Sequence, residues 1–174
     1  MVKVGIIGTN WGGKVQTPIF RAAGLEVVAI YSRKKEKAQK LCDKLNVKYA
    51  FDSVEELCNC PEVDVVSVTS PTYLHAQHAL TALRAGKHVL SDKPGGANVP
   101  EVQEMFDEAS KRPNQFAIID HEMRFTPAVQ AARQAILIDV ENSRIVVLNS
   151  LHYNHERFKY SHKKLLIDPI KNGK

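Results

Sequence analysis

The residues able to do chemistry fall in clusters, each at the end of an apolar run. The first is Gly8-Thr9-Asn10-Trp11-Gly12-Gly13, which follows the apolar residues 2–7. A dinucleotide fingerprint places glycine where residues 8, 10 and 13 stand. The first makes a tight turn, the second lets the backbone approach a pyrophosphate, and the third lets helix and strand pack closely. Gly8 and Gly13 satisfy that spacing, while Asn10 replaces the second glycine. Asparagine tolerates a left-handed backbone better than most residues, but its side chain takes up space. Gly12 is expected to relieve part of the crowding. A glycine-rich strand-to-helix turn with no ligand has the same composition.

The second cluster is Tyr31-Ser32-Arg33-Lys34. An acidic residue here takes a ribose 2′-hydroxyl, whereas arginine accommodates a 2′-phosphate. Ser32 can donate a hydrogen bond and Arg33 can pair with the dianion, so the expectation is NADP in preference to NAD. The alternative is a solvated basic helix start, continued by Lys35 and Lys37. Positive charge at a helix N-terminus opposes the dipole, which favours a ligand role. The third cluster, Thr69-Ser70-Pro71-Thr72-Tyr73-Leu74-His75, supplies the hydroxyls of Ser70 and Thr72. It also supplies a histidine in the first turn of the next helix. His75 is either a ligand residue or a capping or surface imidazole. The fourth is Ser91-Asp92-Lys93-Pro94. An ammonium in this turn can hydrogen-bond a carboxamide or polarise a substrate oxygen; the alternative is an ordinary surface lysine.

These clusters need elements to hold them. Residues 2–7, 27–30, 47–51, 63–68, 88–90 and 116–119 read as strands. Several are apolar on both faces, as strands between two helix layers must be. Ala38, Leu41, Cys42 and Leu45 fall at helical spacing; so do Ala76, Ala79, Leu80 and Leu83, and Val102, Met105, Phe106 and Ala109. Each set makes one apolar stripe. Gly24 and Gly86 sit where left-handed caps are wanted. Asn98 with Glu101 resembles a capping box, and Thr126-Pro127 opens a further helix ending near Leu137. Strand–helix alternation of this kind predicts an α/β fold, a doubly wound parallel sheet with right-handed crossovers. A final strand is expected at residues 145–151, and beyond it the pattern dissolves into a polar, basic segment. The expected division is a dinucleotide-binding domain over residues 1–144. Residues 145–174 would form only the start of a second α/β domain and a basic tail.

Composition narrows the classes. The 174 residues are 44% hydrophobic and 25% charged, ordinary for a soluble globular chain. Of the net charge of +5, +4 falls in residues 151–174. The basic balance therefore belongs to the tail, and without an aromatic platform or recognition helix it does not argue for nucleic acid. No apolar run approaches the roughly 20 residues of a membrane helix. The N-terminal run is too short for a signal peptide, so the expected address is the cytoplasm, with no membrane partner. Cys42, Cys58 and Cys60 give an odd count without a zinc spacing, which predicts reduced thiols and no metal site.

Taken in order, several motifs resemble one family. They are Gly8–Gly13 after a strand, Ser70-Pro71-Thr72 with His75, Ala85-Gly86-Lys87-His88-Val89, Asp92-Lys93-Pro94, and His121-Glu122-Met123-Arg124-Phe125-Thr126-Pro127. Over about residues 1–150 the chain resembles the glucose–fructose oxidoreductase, inositol dehydrogenase and MocA family. The resemblance implies an N-terminal Rossmann domain binding NADP or NAD and a C-terminal α/β domain with an open antiparallel sheet. It implies hydride exchange with a hydroxyl-bearing carbon, often of a sugar or cyclitol. It places Lys93 beside substrate and nicotinamide, with Asp92 standing where glutamate is usual, and puts His121 near the nicotinamide. Gly8, Thr9, Asn10, Trp11, Gly12, Gly13, Ser32, Arg33, Ser70, Pro71, Thr72, His75, Asp92, Lys93 and His121 are thus the candidate cofactor-binding residues. Lys93 is the candidate catalytic one.

The family's proton-exchanging histidine lies in its second domain, on a helix pattern that residues 145–174 lack. His152, His155 and His162 do not supply that pattern, and Asp168 has no histidine four residues on. One expectation is therefore an oxidoreductase cofactor domain, truncated, that acts on a small-molecule substrate once the missing domain is supplied. The alternative is a catalytically inactive dinucleotide-binding or protein-interaction module. Uncovered, Ile145, Val146, Val147 and Leu148 would favour a homo-oligomer.

Overall fold

The computed structural model describes residues 1–141, the side chains of 135–141 excepted. Six strands form its frame: β1 (Lys3–Ile7), β2 (Glu26–Tyr31), β3 (Tyr49–Phe51), β4 (Val65–Val68), β5 (His88–Asp92) and β6 (Ala117–Asp120). They lie in the order β3-β2-β1-β4-β5-β6, and every neighbouring pair is parallel. The chain winds outward from β1 through β2 to β3, then returns to β1's other side and winds the opposite way. That reversal puts a crevice beyond the carboxyl ends of β1 and β4, where open α/β sheets take their ligands.

The helices are α1 (Thr17–Ala22), α2 (Lys35–Leu45), α3 (Val54–Asn59), α4 (His75–Arg84), α5 (Val99–Ser110) and α6 (Pro127–Glu141). A π-helical turn, Gly12–Gln16, leads into α1. Alternation along the strands divides the interior between the faces of the sheet. Val4, Ile6, Val27 and Ile30 join Leu41, Cys42 and Val47 in one cluster. Ile7, Val28, Val66 and Val68 join Leu57, Ala76, Ala79, Leu80 and Leu83 in the other. Each such valine, leucine or isoleucine contributes roughly 1.5–3 kcal/mol by leaving water. The pattern of apolar β-branched runs therefore produces the doubly wound sheet it predicts.

Helix ends follow their caps. Gly24 and Gly86 have φ of +79° and +81°, the left-handed conformation expected of them. Asn98 Oδ1 accepts from Glu101 N at 3.0 Å, while Glu101 Oε2 accepts from Ala97 N at 2.8 Å. Helix α3 was not anticipated. At six residues it is too short to display a period. Its signal was Ser53 with Glu56, and Ser53 Oγ accepts from Glu56 N at 3.2 Å.

The amino edge of the sheet carries its own polar scaffold. Lys87 Nζ donates to the carbonyls of Cys60 at 3.0 Å and Val63 at 2.7 Å. His88 Nδ1 accepts from Phe116 N at 2.9 Å. Glu62 receives Lys3, Lys48 and the Tyr49 hydroxyl. The three cysteines are free and buried. Burial pushes Cys58 up to about 12 and Cys42 up to about 11, so both stay protonated thiols.

The described chain divides into two compact units, Met1–His121 and one that begins at Glu122. In the second, a turn over Glu122–Phe125 precedes α6, and Pro127 is the first helical residue. The Thr126 hydroxyl donates back to Met123 O at 2.9 Å. The expected strand at 145–151 and the division after residue 144 lie outside the described residues. His152, His155, His162 and Asp168 do too.

Candidate functional site

The loop after β1 is shaped by what its glycines touch. Gly8 has φ +137°, and a Cβ there would lie 2.9 Å from the Thr69 carbonyl oxygen. A Cβ on Gly12 would overlap the Thr69 hydroxyl and come within 2.8 Å of Ile6. At Gly13 it would meet Leu41 of α2 at 2.5 Å and Gly8 O at 3.0 Å. Glycine at 8 thus makes the turn, and glycine at 12 and 13 brings the helix against β4 and α2. The expectation for Asn10 needs correcting in one respect. Asn46 is the one non-glycine residue with positive φ among the described residues, so Asn10 does not use the left-handed region. It is exposed, as is Trp11 beside it, and its carbonyl accepts Lys14 N at 2.9 Å. Thr9 is buried.

At the end of β2, Ser32 N donates to Phe51 O at 3.0 Å, and Ser32 Oγ accepts from Lys34 N at 3.4 Å. Arg33, Lys34, Lys35 and Lys37 are exposed. Glu36 is the acidic residue in the first turn of α2. A cationic margin therefore flanks the glycine loop, since Gly8 N donates to Tyr31 O at 3.2 Å. Tyr31 itself is raised by burial, with Arg33 opposing.

Beyond β4, Thr69 Oγ1 donates to Ile7 O at 2.9 Å, which ties the two switch-point strands together. Ser70, Pro71 and Thr72 follow on the same edge, Pro71 exposed and the other two half-buried. His75 opens α4, as its position predicts, but its ring is turned into the protein. It is 2% exposed. Its Nδ1 lies 2.7 Å from Pro94 O and its Nε2 2.6 Å from Ser70 O. One turn on, His78 Nδ1 is 2.9 Å from Ser70 Oγ, and its ring meets Tyr31 edge-on at 6.1 Å. Burial lowers His78, with Glu55 opposing and His75 adding to the shift.

At the end of β5, Asp92 Oδ1 accepts from Lys93 N at 2.8 Å. The Lys93 side chain is exposed, and the peptide to Pro94 is cis. His121 is exposed at the end of β6, its N donating to Ile119 O at 3.0 Å.

The fold therefore brings the loops of residues 8–13, 32–33, 69–72 and 92–94 to one edge of one sheet. Thr69, Tyr31 and His78 belong with them; the sequence clusters include Thr69 and Tyr31 without giving either a role, and sequence reasoning missed His78. A hydroxyl just past the β4 run was the available signal for Thr69. Two histidines three residues apart, both on the apolar side of α4, were the signal for His78. The cradle fits a dinucleotide: side-chain-free backbone at Gly8, Gly12 and Gly13, a basic margin at Arg33, and an exposed ammonium at Lys93. Among the described residues no group of histidine, cysteine or carboxylate side chains could hold a metal ion. No helix there is long and apolar enough to cross a membrane.

Comparison with known proteins agrees with this architecture. Residues 2–120 match the model of an oxidoreductase family with an NAD-binding Rossmann fold. An uncharacterized oxidoreductase of Synechocystis is 39% identical over 128 residues, 73% of this chain and 34% of the relative. A scyllo-inositol 2-dehydrogenase (NADP(+)) of Bacillus subtilis is 36% identical over 112 residues, 63% of this chain and 34% of the relative. A solved 3-ketoreductase from Actinomadura kijaniata, in complex with TDP-benzene and NADP, superposes with TM-score 0.68 at 29% identity. That match covers 80% of this chain and 43% of the other. The chain spans about a third of the length of the curated relatives it matches.

Proposed function

The chain belongs to this oxidoreductase family with an NAD-binding Rossmann fold, and from that premise we propose that it holds NADP at the carboxyl edge of the sheet for oxidoreduction of a sugar, cyclitol or related small hydroxylated substrate. When bound, the nicotinamide would supply the acceptor for hydride from a hydroxyl-bearing carbon, which becomes a carbonyl as its hydroxyl proton leaves, and the hydride donor in the reverse direction. Gly8, Thr9, Asn10, Trp11, Gly12 and Gly13 present backbone to the pyrophosphate at the start of the π turn and α1. Ser32 and Arg33 take the 2′-phosphate, a bidentate charge-assisted pairing that an acidic residue would repel. Ser70, Pro71 and Thr72 border the middle of the crevice. Lys93 holds the substrate oxygen and offsets negative charge that develops on it. His121 stands at the same edge, near the nicotinamide.

The observation that carries this reading is the basic end of β2 beside a glycine loop with no room for a Cβ. The name of the Bacillus relative, which specifies NADP(+), supports the choice of cofactor. Calorimetric titration with NADP(H) and NAD(H), with Arg33→Asp as comparison, tests it. NADP(H) should bind in the micromolar range, and the substitution should weaken it by roughly 10- to 100-fold, as loss of a charge-assisted pair does. Absence of binding by either dinucleotide would instead favour the inactive-module reading.

A further inference from the structure

His75 is enclosed by groups that can only accept. Both of its ring nitrogens face main-chain carbonyl oxygens, Pro94 O at 2.7 Å and Ser70 O at 2.6 Å, and the residue is 2% exposed. A neutral imidazole has one N–H and one lone pair. Either tautomer would satisfy one carbonyl and leave the lone pair of the other nitrogen against the second. At direct-contact distances of 2.6 and 2.7 Å that arrangement is repulsive and costs about as much as a lost buried hydrogen bond. A ring with hydrogen on both nitrogens satisfies both contacts.

The carbonyls it joins are not neighbours in the chain. Ser70 lies past the end of β4, and Pro94 past the end of β5, directly after Lys93. β4 and β5 are adjacent in the sheet, so the ring bridges the two loops where they leave it. Ser70 is held from a second side by His78, and His78 rests on Tyr31 at the end of β2. The line Pro94–His75–Ser70–His78–Tyr31 thus runs beneath the loops assigned above to the nicotinamide and adenosine ends of the cofactor. The charged and titratable groups around it are His78 on the same helix, Glu55 on α3, which acts on His78, and Asp92 and Lys93 beside Pro94.

We propose that His75 is a positioning residue: bearing an N–H on both ring nitrogens, it straps the loop after β4 to the Lys93–Pro94 loop and so fixes the backbone from which Lys93 reaches substrate. The strap follows from the contacts alone; its consequence for Lys93 rests on the function proposed above. Burying a charge is costly for either ring; what separates them is the partners, since two carbonyl acceptors face His75, whereas Ser70 Oγ can donate to His78 or accept from it, which leaves His78 with a single N–H.

Long-range nitrogen–proton NMR correlation on the full chain, with imidazole nitrogens labelled, separates the cases without any substrate or cofactor. At neutral pH one buried ring, absent from the His75→Gln spectrum, should show both nitrogens protonated, and the His78 ring should show one. A neutral tautomer at His75 would overturn the strap. Amide exchange in the same samples tests positioning. His75→Gln should speed exchange at Lys93 and Gly95 by at least about tenfold while leaving the interior of β1 unchanged. Equal exchange in both proteins would overturn the positioning role. NADP titration separates the two readings. A doubly protonated His75 in a chain that binds no dinucleotide would defeat the proposed function but not the strap. A neutral His75 in a chain that binds NADP would do the reverse.

Discussion

Thr69 and Gly12 are fitted to each other. The Thr69 hydroxyl, held by its hydrogen bond to Ile7 O at 2.9 Å, occupies the space that a Cβ on Gly12 would need. The second half of the glycine loop is therefore defined by β4 as much as by any ligand.

Gly12→Ala tests this. Inserting a methyl into a filled site typically costs about 1–3 kcal/mol, so the variant should unfold at lower urea. Thr69→Ala removes the colliding hydroxyl, at the expense of the bond to Ile7. In a double-mutant cycle the pair should be coupled by roughly 0.5–3 kcal/mol, the double variant being more stable than the sum of the singles. Additive effects would mean that the two residues do not meet.

Lys93→Met separates binding from chemistry. Lys93 is exposed, and among the described residues its tie to the fold is through its backbone N–H, to Asp92. The substitution should leave stability within about 0.5 kcal/mol of the parent, as surface changes do. NADP(H) affinity should change by less than roughly threefold, whereas turnover by the complete enzyme should fall by about 100- to 1,000-fold, the usual effect of losing one electrostatic stabiliser. Equal loss of cofactor affinity and turnover would reassign Lys93 to cofactor binding.

Much of this architecture was legible in the chain. The strands around Ile6, Val28 and Val66 are buried on both faces, and runs rich in apolar β-branched residues announce that condition. Helical stripes of two turns or more, such as Ala76–Ala79–Leu80–Leu83, were equally plain. Shorter or tertiary features were not. Helix α3 has too few residues for a period. The fit of Thr69 against Gly12 joins positions far apart in sequence, and a glycine pattern records only that space is needed, not what fills it. The motif Ala85-Gly86-Lys87-His88-Val89 shows a further limit. It helped to identify the family, yet Lys87 and His88 work at the amino edge of the sheet, on carbonyls and an amide, away from the crevice. His75 was placed correctly at the start of α4, but sequence could not say whether its ring faced the crevice or the interior. The contacts to Ser70 and Pro94 decide that.

Glu62 sets a pH dependence. Its carboxyl is lowered to about 2, first by Lys48, then by Tyr49 and Lys3. Unfolded, it returns toward the ordinary carboxylate value of 4.5. A depressed acid stabilises the fold above the unfolded value and loses that contribution as pH falls through the folded one. The effect should therefore be complete above about pH 4.5 and drain away between there and about pH 2. Glu62→Gln should be less stable than the parent at pH 7, and the difference should shrink as urea midpoints are taken down to pH 2. A constant difference across that range would show that packing, not charge, accounts for the loss.

Lys87→Met distinguishes scaffold from site within a single motif. Lys87 Nζ supplies hydrogen bonds to Cys60 O and Val63 O, and those carbonyls belong to the turn that feeds β4. Methionine keeps most of the aliphatic stem but leaves both oxygens without that donor, at a typical cost of about 1–3 kcal/mol. The residue precedes β5, at the opposite end of the strand from Lys93, so the cofactor edge should not sense the change. The expected result is a lower urea midpoint with NADP(H) affinity within about twofold of the parent at temperatures where both proteins are folded. A variant of unaltered stability that bound dinucleotide tenfold more weakly would reverse the assignment and place this lysine in the functional site.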